Sequence, residues 1–153
     1  MMLRMGFHPR WVDLMMATVM NVKYTVVHSG RSMGPITPTR GIRQGDPLSP
    51  YLFLLCAEGF SSLIKQFERN GELKGCKVAN GAPTISHMLF ADDSYIYCRA
   101  TEEEAQNVLR LLNLFEAASG QRVNYAKSSI FFSANTPMDL RRQIVQPFGN
   151  GSC

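Results

Sequence analysis

His87-Met88-Leu89-Phe90-Ala91-Asp92-Asp93-Ser94-Tyr95-Ile96-Tyr97-Cys98 places two adjacent carboxylates between two apolar runs. Each flank is short, rich in aromatic and branched side chains and free of Gly and Pro, so each reads as a strand with the acids at the turn between them. A β-hairpin tip carrying two aspartates follows. Neighbouring residues of a strand point to opposite faces, so the two carboxylates do not clamp one ion from the same side. One of them leads and needs a partner from elsewhere. The plainer alternative is an Asx-type turn whose acids cap their own backbone and face water. This stretch alone does not choose between the two.

The next segment towards the amino terminus is Glu72 to Pro83, a polar connection with Gly75 and Gly81 and a short strand expected at Cys76 to Ala79. Before it lies Arg40-Gly41-Ile42-Arg43-Gln44-Gly45-Asp46-Pro47-Leu48-Ser49-Pro50-Tyr51-Leu52-Phe53, a polar, glycine-rich turn that runs straight into a helix. Gly41 and Gly45 let a backbone approach a ligand closely, and Arg40, Arg43 and Gln44 supply donors for phosphate, sugar or a base edge. Ser49 suits an N-cap and Pro50 a first helical turn. Leu52, Cys56, Phe60, Ile64 and Phe67 then repeat along one apolar stripe until Gly71. From Leu14 to Gly45 there is no acidic residue, while Lys23, Arg31, Arg40 and Arg43 are present. Such a local positive field neutralises phosphates, although a solvated basic face has the same composition. Upstream, Pro9 to Val22 reads as a short amphipathic helix, and Tyr24 to His28 as a strand turning at Ser29-Gly30. Pro35 to Thr39 reads as an extended edge or loop.

Past the acidic hairpin, Thr101-Glu102-Glu103-Glu104 fits a capping box, with Thr101 as N-cap and Glu104 reaching back to it. Ala105, Val108, Leu109, Leu112 and Phe115 form the buried face of this helix, and Gly120 ends it. Val123 to Ser133 resumes β character at Ile130-Phe131-Phe132, with the cation Lys127 just before it. Residues 135–153 read as an irregular or frayed tail, with a helical turn at Asp139 to Val145.

The 153 residues, 45% hydrophobic and 18% charged, suffice for one globular domain or a piece of one. The net charge of +4 favours an anionic partner. Four cysteines without a C-x-x-C pair, and three isolated histidines, indicate neither a disulfide framework nor a zinc site. No apolar run approaches the roughly 18 to 20 residues of a membrane span, and Arg10 and Asp13 interrupt any signal peptide. The expectation is a soluble, intracellular protein, in a compartment the sequence does not specify, without a membrane partner.

These blocks together resemble the palm of a reverse transcriptase, an RNA-directed DNA polymerase of the non-LTR, LINE-like kind. Residues 40–53 look like that family's second core motif, and Phe90-Ala91-Asp92-Asp93 looks like its catalytic F/Y-x-D-D box. Ser119-Gly120-Gln121-Arg122-Val123-Asn124-Tyr125-Ala126-Lys127-Ser128 is similar to the block that follows, and Met5-Gly6-Phe7-His8-Pro9-Arg10-Trp11 to the segment just upstream. The resemblance implies an α+β fold, a small antiparallel sheet with helices packed on one face, over residues 1–134. It also implies two-metal nucleotidyl transfer using two Mg²⁺ ions, an RNA template, a DNA primer and deoxynucleoside triphosphates. Asp92 and Asp93 would be the catalytic, metal-holding acids. Arg40, Gly41, Arg43, Gln44 and Gly45 would line the template and nucleotide side, with Lys127 near the triphosphate. The family's first motif, which carries another metal-bridging aspartate, is not matched, so the sequence reads as a palm fragment inactive by itself. Two alternatives stand beside this. A noncatalytic nucleic-acid-binding or maturase-like remnant would have no need of the acid pair. A phosphoacceptor signalling domain would carry its acids near the start of the chain.

Overall fold

A computed structural model describes residues 2–38 and 45–148 of the chain. The backbone gathers into two compact units, residues 1–55 and 56–153.

The first unit opens with helix α1, Pro9–Met20, where Pro9 occupies the first turn and the His8 ring Nδ1 accepts from the Arg10 N–H at 3.3 Å. Pro is tolerated there because its missing N–H would lack an intrahelical acceptor anyway. Strands β1, Tyr24–His28, and β2, Arg31–Ile36, form an antiparallel hairpin around the Ser29-Gly30 turn. Of the two readings left open for Pro35 to Thr39, an extended edge or a loop, Pro35 and Ile36 take the first and end strand β2, because a two-stranded hairpin has only edges and an edge tolerates a residue without an N–H. Helix α2, Ser49–Arg69, begins in this unit and runs into the second. Its entry is set by Asp46, whose Oδ1 accepts from the Leu48 N–H at 2.8 Å.

The second unit holds the core. Phe60, Ile64 and Phe67 of α2 meet Val108 and Leu111 of helix α3, Glu102–Ser119, with Leu73 between them. The α2 residues recur every three or four positions, as a single buried stripe demands. On α3 the buried face is turned slightly from the expected one, with Leu111 wholly buried and Leu109 half-buried. Phe60 and Phe115 pack ring to ring at 4.5 Å. Strands β3, His87–Phe90, and β4, Asp93–Ile96, form the second antiparallel hairpin, and Leu89 and Ile96 pack against the helical core. The α+β class therefore holds, and both helices lie against one face of the acidic hairpin. Among the described residues, each unit carries one two-stranded antiparallel hairpin.

Three local expectations are corrected in this unit. Ile130 to Phe132 form no strand; Phe131 is 90% exposed, and the Arg141 guanidinium sits 5.7 Å from the Phe132 ring centroid. Aromatic and branched residues suit a pleated surface, but no neighbouring edge among the described residues pairs with this segment. Cys76 makes only an isolated bridge to Ile85. Among the described residues of the tail, 135–148, the structure is more regular than expected. Met138–Val145 is helix α4, and Leu140, Ile144 and Phe148 recur every four residues, with Ile144 buried and Phe148 packed on the core.

Glu104 departs most from its expected part. Thr101 caps α3 by accepting the Glu104 N–H through its Oγ1 at 3.2 Å, as a capping box requires. The Glu104 carboxylate does not reach back to Thr101. It is buried, and its Oε2 accepts the Lys74 N–H at 3.1 Å and the Arg99 N–H at 3.0 Å. Two loops far apart in sequence are thereby tied to the start of α3.

Candidate active site

The acidic hairpin turns through only two residues, Ala91 and Asp92, between the closing pair Phe90 and Asp93. Ala91 has φ of +49°, in the left-handed region, while Asp92 does not. A left-handed first turn residue matches the right-handed twist of the flanking strands, so the tight hairpin forms even though alanine pays a steric penalty there. The strain sits immediately beside the two carboxylates.

The strand register fixes which side chains share a face. His87, Leu89, Ser94 and Ile96 lie on the side that meets the helices. Met88, Phe90, Asp93 and Tyr95 lie on the other side, where Met88, Phe90 and Tyr95 are 49%, 73% and 46% exposed. Asp93 thus stands at the end of an open face with two aromatic rings, and Asp92 stands in the turn itself. Both carboxylates are exposed, and neither has a hydrogen-bond or ion-pair partner among the described residues. The Asx-turn alternative is thereby disfavoured, because a capping carboxylate would accept a backbone N–H.

The hairpin is anchored at its far end. The His87 ring lies within hydrogen-bond reach of two hydroxyls, with Nε2 2.8 Å from Ser61 Oγ of α2 and Nδ1 2.9 Å from Ser86 Oγ. Burial, and then the Lys65 ammonium, lower the His87 pKa, while Glu68 and Glu58 oppose the shift. The neutral ring is the favoured form. His87 is therefore a satisfied structural histidine that pins β3 to α2.

Of the other residues singled out in the sequence, Arg40, Gly41, Arg43 and Gln44 lie outside the described residues. Gly45 has φ of +82°, with no neighbouring atom within 4 Å of where a Cβ would stand, so its backbone conformation is what favours glycine. Lys127 ends a short 3-10 turn, Tyr125–Lys127; it is exposed and makes no ion pair with either aspartate. Tyr95 was not singled out, because its place beside Asp93 depends on the hairpin register.

Exposed carboxylates offer hard oxygen donors of the kind Mg²⁺ takes from proteins, which supply one or two and leave the remainder to water and substrate phosphate. Each exposed carboxylate has the chemistry of one such ligand. No group of three or more His, Cys, Asp or Glu side chains that could hold a metal converges among the described residues. No helix among them is long and apolar enough to cross a membrane.

The family described as reverse transcriptase (RNA-dependent DNA polymerase) matches residues 2–144, a span that includes the hairpin and every block of the sequence resemblance. The chain belongs to the reverse transcriptase family. Among curated relatives, an uncharacterised mitochondrial protein of Arabidopsis thaliana is 40% identical over 111 residues, 71% of this chain and 88% of that protein. An uncharacterised 149 kDa protein of transposon TX1 from Xenopus laevis is 24% identical over 135 residues, 88% of this chain. The match spans a tenth of the transposon protein's length. No solved structure matches the chain. Membership of this family accords with the α+β architecture.

Proposed function

We propose that this chain is the catalytic-hairpin part of a palm that carries out template-directed nucleotidyl transfer on an RNA template, with Asp92 and Asp93 as the metal-holding acids. The observation that carries this reading is the hairpin tip. Two adjacent carboxylates stand exposed and unpartnered on a strained turn, which a purely structural turn does not need. A bound pair of Mg²⁺ ions would activate a primer 3′-hydroxyl and stabilise the leaving pyrophosphate.

The chain's own residues do the positioning. The β3–β4 ladder fixes Asp93 opposite Phe90, the Ala91 turn presents Asp92 beside it, and the His87 contact to α2 holds the hairpin against the core. Arg40, Gly41, Arg43, Gln44 and Gly45 would meet the template and incoming nucleotide, and Lys127 the triphosphate, as the motifs imply. An RNA template, a DNA primer and deoxynucleoside triphosphates are the corresponding partners.

Because no third acid converges on the pair among the described residues, the 153 residues alone should not support catalysis. Misplacing a catalytic group by ~1 Å can cost about a hundredfold in rate, and a missing ligand costs more. The test is primer extension on an RNA template with three proteins: this chain, a fusion with a family-like segment carrying the first motif placed before Met5, and that fusion with Asp92→Asn. Extension by the second alone is expected. Activity of the bare chain would overturn the fragment reading, and an active Asp92→Asn fusion would overturn the catalytic assignment. The rival, a noncatalytic nucleic-acid-binding remnant, predicts no extension by any of the three and nucleic-acid affinity unchanged by Asp92→Asn.

A further inference from the structure

A groove of about 600 Å³ opens in the second unit, lined by Glu68, Leu73, Lys74, Lys77, Thr84 and Arg99, with Gly75 at its edge. Three cations and one acid therefore face one concavity. None of the three cationic side chains has a hydrogen-bond or ion-pair partner among the described residues. Lysines scattered on a convex surface are ordinary solvated charges, but these converge on a concavity whose shape is held from within.

Two contacts do the holding. The buried Glu104 carboxylate accepts the backbone N–H groups of both Lys74 and Arg99, so it fixes the two segments that carry those cations. Gly75 allows the backbone of one wall to press against the other. A Cβ there would lie 2.4 Å from the Ile85 carbonyl oxygen, against the bridge in which Cys76 N–H donates to Ile85 at 2.8 Å and Ile85 N–H donates back at 2.9 Å. The charges are thus presented on a fixed frame, which lowers the ordering cost of binding.

We propose that this groove is a second nucleic-acid contact, distinct from the hairpin tip, in which Lys74, Lys77 and Arg99 take the sugar-phosphate backbone of a single RNA strand. Three unpaired cations against Glu68 leave a net positive field suited to a phosphodiester chain, and the Arg99 guanidinium can donate two parallel hydrogen bonds to one phosphate. From Thr84 to Phe90 the chain runs six residues in largely extended form, which puts the groove roughly 20 Å from the carboxylates at about 3.3 Å per residue. This inference rests on the nucleic-acid role proposed above and adds to it a site that the family motifs do not cover.

The experiment measures binding of a fluorescently labelled single-stranded RNA to the full chain by anisotropy, across salt from ~50 to ~200 mM. Three proteins are compared: the wild type, the triple variant Lys74→Gln, Lys77→Gln, Arg99→Gln, and Arg43→Ala. Far-ultraviolet circular dichroism confirms that each is folded. The triple variant should bind about tenfold more weakly at low salt, with a log–log salt slope shallower by about two, since each lost contact to a single strand removes about 0.7. Glu68→Gln should tighten binding. If the triple variant matches the wild type in affinity and slope, the groove proposal is overturned. The Arg43→Ala arm then shows separately whether the loop role survives. Competition with inorganic phosphate and pyrophosphate separates the sources of phosphate. Displacement of RNA by either at equal phosphate concentration would make the groove a small-anion site and overturn the phosphodiester assignment.

Discussion

Replacing Glu104 with alanine is the sharpest perturbation of the scaffold behind the site. One buried oxygen of this side chain accepts two backbone N–H groups, from Lys74 at 3.1 Å and Arg99 at 3.0 Å. A hydrogen bond to a charged acceptor contributes about 1.5–3 kcal/mol, and a buried donor left without a partner costs about 1–3 kcal/mol. Part of this returns because the carboxylate need no longer be desolvated, and alanine favours a helix by a few tenths of a kcal/mol. A net loss of about 3 kcal/mol is the expected outcome. Glu104→Gln keeps an acceptor oxygen without the charge and should lose about 1 kcal/mol. Equilibrium urea unfolding read by circular dichroism measures both, and a 3 kcal/mol loss is a large part of a domain's typical stability of about 5–15 kcal/mol. The loops should loosen as well, seen as faster amide exchange at Lys74 and Arg99. A loss under ~0.5 kcal/mol for alanine, or equal losses for alanine and glutamine, would refute the reasoning that a buried charge ties these loops.

Other perturbations follow from single contacts. Gly75→Ala would drive a Cβ against the Ile85 carbonyl, so the Cys76–Ile85 bridge should open at a cost of about 1–3 kcal/mol, with faster amide exchange at both residues and weaker RNA binding in the groove. Ala91→Gly relieves the positive φ of the acidic turn and should raise stability by up to ~1 kcal/mol in a thermal melt; a lower melting temperature would count against a left-handed turn. The His87 pKa lies below its ordinary 6.5 in the folded chain. The unfolded state therefore binds the proton first, and stability that is complete above 6.5 falls as the pH drops below it. His87→Gln should flatten that dependence in urea unfolding at several pH values.

Much of this was legible in the sequence for identifiable reasons. The hairpin could be read because two short runs of aromatic and branched residues, free of Gly and Pro, flank the acid pair. The helices could be read because Phe60, Ile64 and Phe67, and Thr101 with Gly120, carry periodicity and end signals. The part played by Glu104 was hidden. A capping box and a buried loop tie look alike in sequence, and they differ only in which N–H groups lie within reach. The false strand at Ile130 to Phe132 arose because composition reports fitness for a sheet and says nothing of a partner edge. The basic groove was also invisible, since Arg99 lies far along the chain from Lys74 and Lys77 and shares a concavity with them only in the fold, where Glu104 ties the Lys74 and Arg99 segments together. Ala91 gave no signal, because a left-handed turn residue is anticipated at glycine or asparagine.

Asp92 and Asp93 are proposed above as an exposed, partial site for a hard divalent cation. Titrating Mn²⁺, as a paramagnetic stand-in for Mg²⁺, into the isotopically labelled chain tests it most directly. Line broadening in the amide spectrum should begin at residues 90–95, at ion concentrations well above those that fill a complete site, because two carboxylates leave most of the coordination to water. Asp92→Asn should weaken it strongly, and added Mg²⁺ should compete it away. Broadening that begins elsewhere, or that survives Asp92→Asn and Asp93→Asn together, would contradict the account.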